Sequence, residues 1–211
     1  VKALLRFKLH TLISFISLGF GFICFVTAVL LANYMDSYDQ QWPNANRIYN
    51  VVIRNVSEGT GPDKFPIVND PAARYLRSYF PDIPNIVKAS MGDLDNVTID
   101  GQSHTVTSRY VEERFFDIFP VEFLFGLETG QALPPNTGVI TEQAAMRLYN
   151  RLDVVGERLL VDNEYDVAIA AVVKRPESPS HLDSGVTLFS SDFYFPMEIR
   201  DNANRRRRIA A

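Results

Sequence analysis

From Leu9 to Met35 the chain carries no Lys, Arg, Asp or Glu, and from Leu12 to Leu31 it is apolar apart from small hydroxyl residues, glycines and Cys24. A run of roughly 20 such residues, rising about 1.5 Å each, spans a ~30 Å hydrocarbon core, so the pattern predicts a membrane-crossing helix. A cleaved signal peptide would have an apolar core of about 7 to 15 residues followed by a small-x-small site. Here the run is longer, and Leu30-Leu31-Ala32 puts a large residue where a small one is needed. The helix therefore reads as a retained anchor.

Beyond it the periodicity is mixed. Arg47 to Val56 is rich in β-branched and aromatic residues and is closed by the polar, glycine-containing stretch Ser57 to Asp63, which predicts a first strand. Asn69 or Asp70 can cap a helix that has Pro71 in its first turn, an apolar face of Ala72, Ala73, Tyr75, Leu76, Tyr79 and Phe80, and Pro81 as its stop. Short strands are predicted near Ile86 to Met91, Val97 to Ile99 and His104 to Tyr110, with Asp100-Gly101 as a tight hairpin turn between the last two. Glu112 to Phe119 predicts a short helix that buries Phe115, Phe116 and Phe119. Val139-Ile140 leads into Thr141, which can cap a helix through Tyr149, and strands over Arg158 to Val161 and Tyr165 to Val173 flank a second hairpin turn at Asp162-Asn163. The fold class is α+β: one N-terminal transmembrane helix, then a mixed α/β domain of short strands, hairpins and about three helices. Its expected core is built around Ile48, Val51, Leu76, Phe80, Phe116 and Ile169.

Charge orients the anchor. Lys2, Arg6 and Lys8 precede the apolar run while Asp36 and Asp39 follow it, so the N-terminus is expected to be cytoplasmic and the body exported. The chain has 211 residues and a formal net charge of −4, and its first ten residues contribute only bases, so the body is more acidic than the total shows. An acidic body repels phosphates, which argues against a general nucleic-acid-binding role. The only cysteine, Cys24, lies inside the span, so the body must fold on its hydrophobic core without disulfides.

Candidate chemistry is sparse. There is no Gly-x-x-x-x-Gly-Lys-Ser/Thr phosphate loop, no Gly-x-Ser-x-Gly elbow, and no His/Cys cluster at metal-ligand spacing, with His104 and His181 the only exported histidines. No catalytic, cofactor-binding or metal-binding residue is assigned. Asp93, Asp95, Asn96 and Asp100 resemble a calcium loop, but Val97 occupies the fifth position, so a solvated turn is expected. Ser178, Ser180, His181 and Asp183 hold the letters of a catalytic triad, yet neighbours so close in sequence do not readily converge on one reacting atom. Arg205 to Arg208 read as a solvated tail, although acidic headgroups or nucleic acid would also suit them.

The segment Asp39 to Tyr49, directly behind a first membrane helix, resembles the entry to the MacB-like periplasmic core domain of FtsX-type ABC transporter permeases. Tyr79 to Ile83, Phe115 to Phe119, Gly130 to Leu133, Val139 to Ala145, Val155 to Leu159 and Ser180 to Leu182 continue the resemblance in the family's order, to about Pro196. Tyr149-Asn150 departs from the usual Phe-Gly, and Asp153-Val154 from the usual Asp-Pro. The resemblance implies a permease subunit without catalysis of its own. In such a subunit, periplasmic domains transmit ATP-driven motion of a cytoplasmic ATPase to extracytoplasmic export or release. It also implies a second permease copy or homologue, a lipid bilayer, no cofactor, no nucleic acid, and an inner-membrane location with the main domain periplasmic.

On this reading residues 1–35 are the cytoplasmic N-terminus and membrane helix, 36–196 the periplasmic core domain, and 197–211 a polar, arginine-rich tail. The alternatives from other classes are the extracytoplasmic sensor of a membrane receptor and an anchored periplasmic hydrolase that would rely on His104 or His181. Such permeases continue through a second periplasmic lobe and three further membrane helices, so the chain is expected to be a fragment, with Val186, Leu188, Phe189, Phe193 and Phe195 left with little to cover them and the tail poorly packed.

Overall fold

The computed structural model of the chain describes residues 8–37, 39–40, 42–54, 64–65, 68, 71–175 and 191–202. Helix α1 (Lys8–Asp36) contains the apolar run, and within it His10–Asp36 is long and apolar enough to cross a membrane. Its large side chains, among them Phe15, Phe20 and Phe25, are exposed along its length, as expected of a helix whose solvent is lipid.

The strands are β1 (Ile53–Arg54), β2 (Lys64–Phe65), β3 (Asp93–Ile99), β4 (Gln102–Val111), β5 (Phe123–Gly126), β6 (Thr137–Thr141), β7 (Arg158–Val161), β8 (Tyr165–Val173) and β9 (Phe193–Pro196). With them run helices α2 (Ala72–Tyr79), α3 (Phe115–Ile118) and α4 (Glu142–Tyr149). The main sheet has the order β5-β8-β6-β9-β4-β3-β7, and β7 also pairs with β8. That extra pairing returns the sheet to its own second strand, so β8, β6, β9, β4, β3 and β7 form a closed circuit, a small mixed barrel without free edges inside the circuit.

Side chains fill this barrel. Val97 and Ile99 of β3, Val106 of β4, Ile140 of β6, Val161 of β7, Val167 and Ile169 of β8, and Phe193 and Phe195 of β9 share one buried cluster. Gly138 on β6 leaves the space that the Phe195 ring occupies, since a Cβ there would sit 2.9 Å from two ring carbons. A bulge between Gly138 and Val139, against Ile169 and Ala171, shifts the parity of β8. Before it Val167 and Ile169 face the barrel core; after it Val172 does, and Ala171 and Val173 face a second cluster built by Phe115, Phe116, Leu133 and Tyr194. The near-continuous apolar run of β8 thus serves two cores on its two faces.

Both hairpin turns form as the sequence predicts. Asp100 and Gly101 have φ of 50° and 79°, and Asp162 and Asn163 have φ of 50° and 55°, the left-handed conformations of a primed turn. Thr141 caps α4, its Oγ1 accepting from the Ala144 N–H at 3.3 Å, and Ala144 and Ala145 turn inward. Helix α2 ends at Phe80, next to Pro81, while its proposed caps Asn69 and Asp70 lie outside the described residues.

Several expectations are corrected. Of the strand expected over Arg47 to Val56, the described part holds the end of a 3₁₀ turn (Ala45–Arg47) and the two-residue β1, which among the described residues pairs with β2 apart from the main sheet, while Asn55 and Val56 lie outside the described residues. The strand expected over Ile86 to Met91 reduces to one bridge, Ala89 to Val111, because the Ser90 hydroxyl takes the Tyr110 N–H at 2.9 Å that a ladder carbonyl would have accepted. Of the expected core, Phe116 and Ile169 are buried, but Val51 and Phe80 are exposed and Ile48 and Leu76 only half-buried, since α2 and β1 lie outside the barrel. Phe193 and Phe195, expected to lack cover, are fully buried in β9, which lies between β4 and β6 at the centre of the sheet. The tail starts packed: Met197 and Ile199, in a helical stretch over 197–202, join the barrel core. Val186, Leu188, Phe189 and Arg205 to Arg208 lie outside the described residues.

Candidate functional site: an interior carboxylate and an apolar groove

The acidic stretch that resembled a loop is strand β3. Along it Asp93, Asp95, Val97 and Ile99 share a parity, and because Val97 and Ile99 point into the barrel, so does Asp95, which is 8% exposed. For Asp95 the expected solvated turn is therefore corrected to a buried carboxylate on a strand, while Asn96 is exposed on β3 and Asp100 lies exposed in the hairpin turn. Asp95 Oδ2 accepts from the Tyr110 hydroxyl at 2.7 Å and from the Ser108 hydroxyl, both on β4. Burial raises the Asp95 pKa above its ordinary carboxylate value, more than these two hydrogen bonds lower it, and the charges of Asp162 and Asp93 add to the rise. The Tyr110 phenol is likewise pushed up, first by burial and then by the adjacent Asp95 charge.

The network continues around the barrel end. Arg200, in the helical stretch over 197–202, pairs with Asp93 at 3.3 Å and places its guanidinium 5.9 Å from the Tyr110 ring centre. Arg109 donates to the Ser90 carbonyl at 2.9 Å. A second carboxylate, Asp192, accepts from the Thr107 N–H at 3.0 Å, the Thr107 hydroxyl at 3.1 Å and Arg147 at 2.8 Å, tying β4, α4 and the start of β9 together. Asp95 and Asp192 each accept hydrogen bonds from hydroxyls of the neighbouring strand, and Asp93 is paired with Arg200, so these groups tie β3, β4, α4 and the start of β9 together. Among the described residues no group of three His, Cys, Asp or Glu side chains is placed to hold a metal ion.

A different kind of feature lies on the outer face of α2. Its residues at helical spacing, Tyr75, Leu76 and Tyr79, together with Val51, Ile53 and Phe80, line a groove of ≈ 420 Å³. On another face of the same helix Ala73 is buried and Arg77 reaches the body, pairing with Glu112 and donating to the Ile86 carbonyl at 2.7 Å. Thus α2 is fixed to the domain by one face and presents an apolar one.

His104 lies on β4, opposite Val97 of β3, and none of the described side chains that bond across this region forms a hydrolytic constellation with it. His181, Ser178, Ser180 and Asp183 lie outside the described residues. From the sequence Asp95 stood only as one member of a solvated acidic turn, and Trp42 only as a letter of the segment Asp39 to Tyr49. The parity of Asp93, Asp95, Val97 and Ile99 was the available signal for Asp95, and the position of Trp42 within Asp39 to Tyr49 was the one for Trp42.

An apolar helix long enough to span a membrane, followed by a mixed-sheet domain, defines the class: an α+β domain behind a candidate membrane helix. The sequence profile of the MacB-like periplasmic core domain matches residues 11–210, and the chain belongs to that family, a domain of permease-type ABC transporters. No curated protein sequence matches the chain. Among the solved structures similar to the chain are the following three. One is a domain of a putative permease protein from Porphyromonas gingivalis, with 19% identity, a TM-score of 0.46, and coverage of 60% of this chain and 56% of that one. Another is the periplasmic region of MacB from Actinobacillus actinomycetemcomitans, with 15% identity, a TM-score of 0.38, and coverage of 53% and 48%. The third is the extracellular domain of the noncanonic ABC-type transporter YknZ from Gram-positive bacteria, with 12% identity, a TM-score of 0.44, and coverage of 63% and 64%. The matched part thus spans between 48% and 64% of the length of those chains.

Proposed function

We propose that this chain is the anchor and periplasmic lever of an ABC transporter permease. In this reading a cytoplasmic ATPase partner binds and hydrolyses ATP, α1 moves with the rest of the membrane assembly, and the barrel domain shifts to drive export or release of an extracytoplasmic substrate. A second permease copy or homologue completes the membrane unit. Residues 1–35 form the cytoplasmic N-terminus and inner-membrane helix, and residues 36–196 the periplasmic core domain. The chain itself carries no catalytic step.

The observation that carries this reading is continuity: one family profile runs through the apolar helix and the domain together, from residue 11 to 210. The charge asymmetry around the helix supports a cytoplasmic N-terminus, with Lys2, Arg6 and Lys8 before the span and Asp36 and Asp39 after it. A lever needs a stiff body, and a barrel closed by hydrogen bonds and filled by Phe193 and Phe195 is one. The test is purification of the full chain from native membranes in mild detergent. An ATP-binding subunit should accompany it and be labelled by azido-ATP while the chain stays unlabelled. The absence of any labelled subunit, or labelling of the chain itself, would overturn the reading.

A further inference from the structure

Trp42 is the chain's only tryptophan, and at 5% exposure it is the first buried side chain after the membrane helix among the described residues. The path to it is short and hydrogen-bonded. The Ser37 N–H donates to the Asn33 carbonyl at 3.1 Å and the Ser37 hydroxyl to the Tyr34 carbonyl at 2.7 Å, closing the end of α1. Asp39, at φ 57°, turns the chain, and its Oδ1 accepts from the Trp42 indole N–H at 3.2 Å. On the far side the Ala45 N–H donates to the Trp42 carbonyl at 3.0 Å.

The indole meets Phe119 edge to face, with ring centres 5.4 Å apart. Phe119 stands 5.0 Å from Phe115, just after the end of α3, and Phe115 stands 6.1 Å from Tyr194, which belongs to the central strand β9. Four rings therefore run without interruption from the turn behind the membrane helix to the middle of the sheet. A tryptophan beside a membrane is ordinarily an interfacial anchor with its ring among lipid headgroups. This one is turned into the protein.

We propose that Trp42 is a positioning residue, the joint that fixes the membrane helix to the barrel so that displacement of α1 reaches β9 through Phe119 and Phe115. The assignment rests on the lever reading above and deepens it by naming the point of transmission. Its physical reason is that a loose linker absorbs displacement, whereas close-packed rings in contact move together.

The full chain in nanodiscs tests this directly. Cys24 within α1 is the only cysteine, and Leu160 on β7 is exposed, so Leu160→Cys gives a nitroxide pair that reports anchor against barrel. The distance distribution measured by double electron–electron resonance should be narrow in this parent and in Trp42→Phe, which keeps a ring. It should broaden in Trp42→Ala and in Phe119→Ala, with circular dichroism of the domain unchanged. A distribution as narrow in Trp42→Ala as in the parent would overturn the joint. Should either truncation fail to fold, the unaltered chain decides: its single-tryptophan emission should be blue-shifted and poorly quenched by acrylamide, and ready quenching would overturn the proposal equally. With the ATPase subunit bound, nucleotide should displace the barrel in the parent and displace it less in Trp42→Ala, while hydrolysis persists. A parent barrel that never responds to nucleotide would overturn the lever reading instead, a result separable from the distance measurement made without the partner.

Discussion

Asp95 carries a pH dependence whose sign follows from its surroundings. Its folded-state pKa is raised, chiefly by burial, so the native state holds this proton more tightly than the unfolded chain does. The linkage relation then gives stability that is fully present below the unfolded value of 3.8 and is lost as pH rises toward the folded pKa. Both of its hydrogen bonds end on Oδ2, so Asp95→Asn can keep them through its carbonyl oxygen while removing the buried charge. The variant should be more stable than the parent near neutral pH by about 1 kcal/mol, and this advantage should shrink in acid. Urea unfolding across a pH series checks it; an advantage that grows on acidification would refute the assignment. Gly138 gives a second residue-level test. A Cβ there meets the Phe195 ring at 2.9 Å, and that ring is enclosed, so Gly138→Ala should cost about 1–3 kcal/mol through overpacking, measured by the same unfolding.

Among the elements, α4 shows local signals and tertiary packing in agreement. Thr141 ends β6 and caps α4 at once, and Asn150, at φ 55°, closes the helix with its N–H on the Met146 carbonyl. Thr141→Ala should lose about 1 kcal/mol of stability and Thr141→Ser much less, because only the hydroxyl makes the cap. Thermal unfolding of the two variants side by side separates them. Strand β9 and helix α2 show the opposite. From sequence, Phe80 belongs to the core and Phe195 to an uncovered end; in the fold Phe195 is 0% exposed and Phe80 52%. Phe195→Ala should therefore cost about 3–5 kcal/mol, while Phe80→Ala should stay within about 0.5 kcal/mol, the usual range for a surface change. Equal effects would mean that the groove beside α2 is as tightly filled as the barrel.

For the molecule as a whole, the charge pattern around α1 makes a topological claim. A reporter fused after Asp39 should be active only if it functions outside the cytoplasm, and the mature chain should retain residues ahead of Thr11. Paired alkaline phosphatase and green fluorescent protein fusions, with sequencing of the mature N-terminus, measure both, and processing near Asn33 would refute an anchored chain. The closed circuit of strands predicts that its members, and above all β8, which pairs with β5, β6 and β7, exchange their amide protons slowly, whereas β1, which among the described residues pairs with β2 alone, exchanges fast.

What could be read from the chain alone was whatever depends on neighbours in sequence. A charge-free run long enough for a bilayer, the Asp-Gly and Asp-Asn turns that tolerate positive φ, and the Thr141 cap each follow from a few adjacent residues, and each is present in the structure. The order of short motifs pointed to the family for the same reason. Burial and pairing were settled elsewhere, by contacts between distant segments. Val51, Leu76 and Phe80 are as apolar as any core residue, but helix α2 and the segment before β1 found no place in the barrel circuit, so they line an outer groove. Phe193 and Phe195 became the centre of the sheet only because β4 and β6 lie on either side of β9, far away in sequence. Asp95 became an interior carboxylate because Ser108 and Tyr110, on the next strand, face it at hydrogen-bonding distance. Trp42, polar at one edge and apolar over the rest, could have entered lipid or protein; it was the placement of Phe119 that turned it inward.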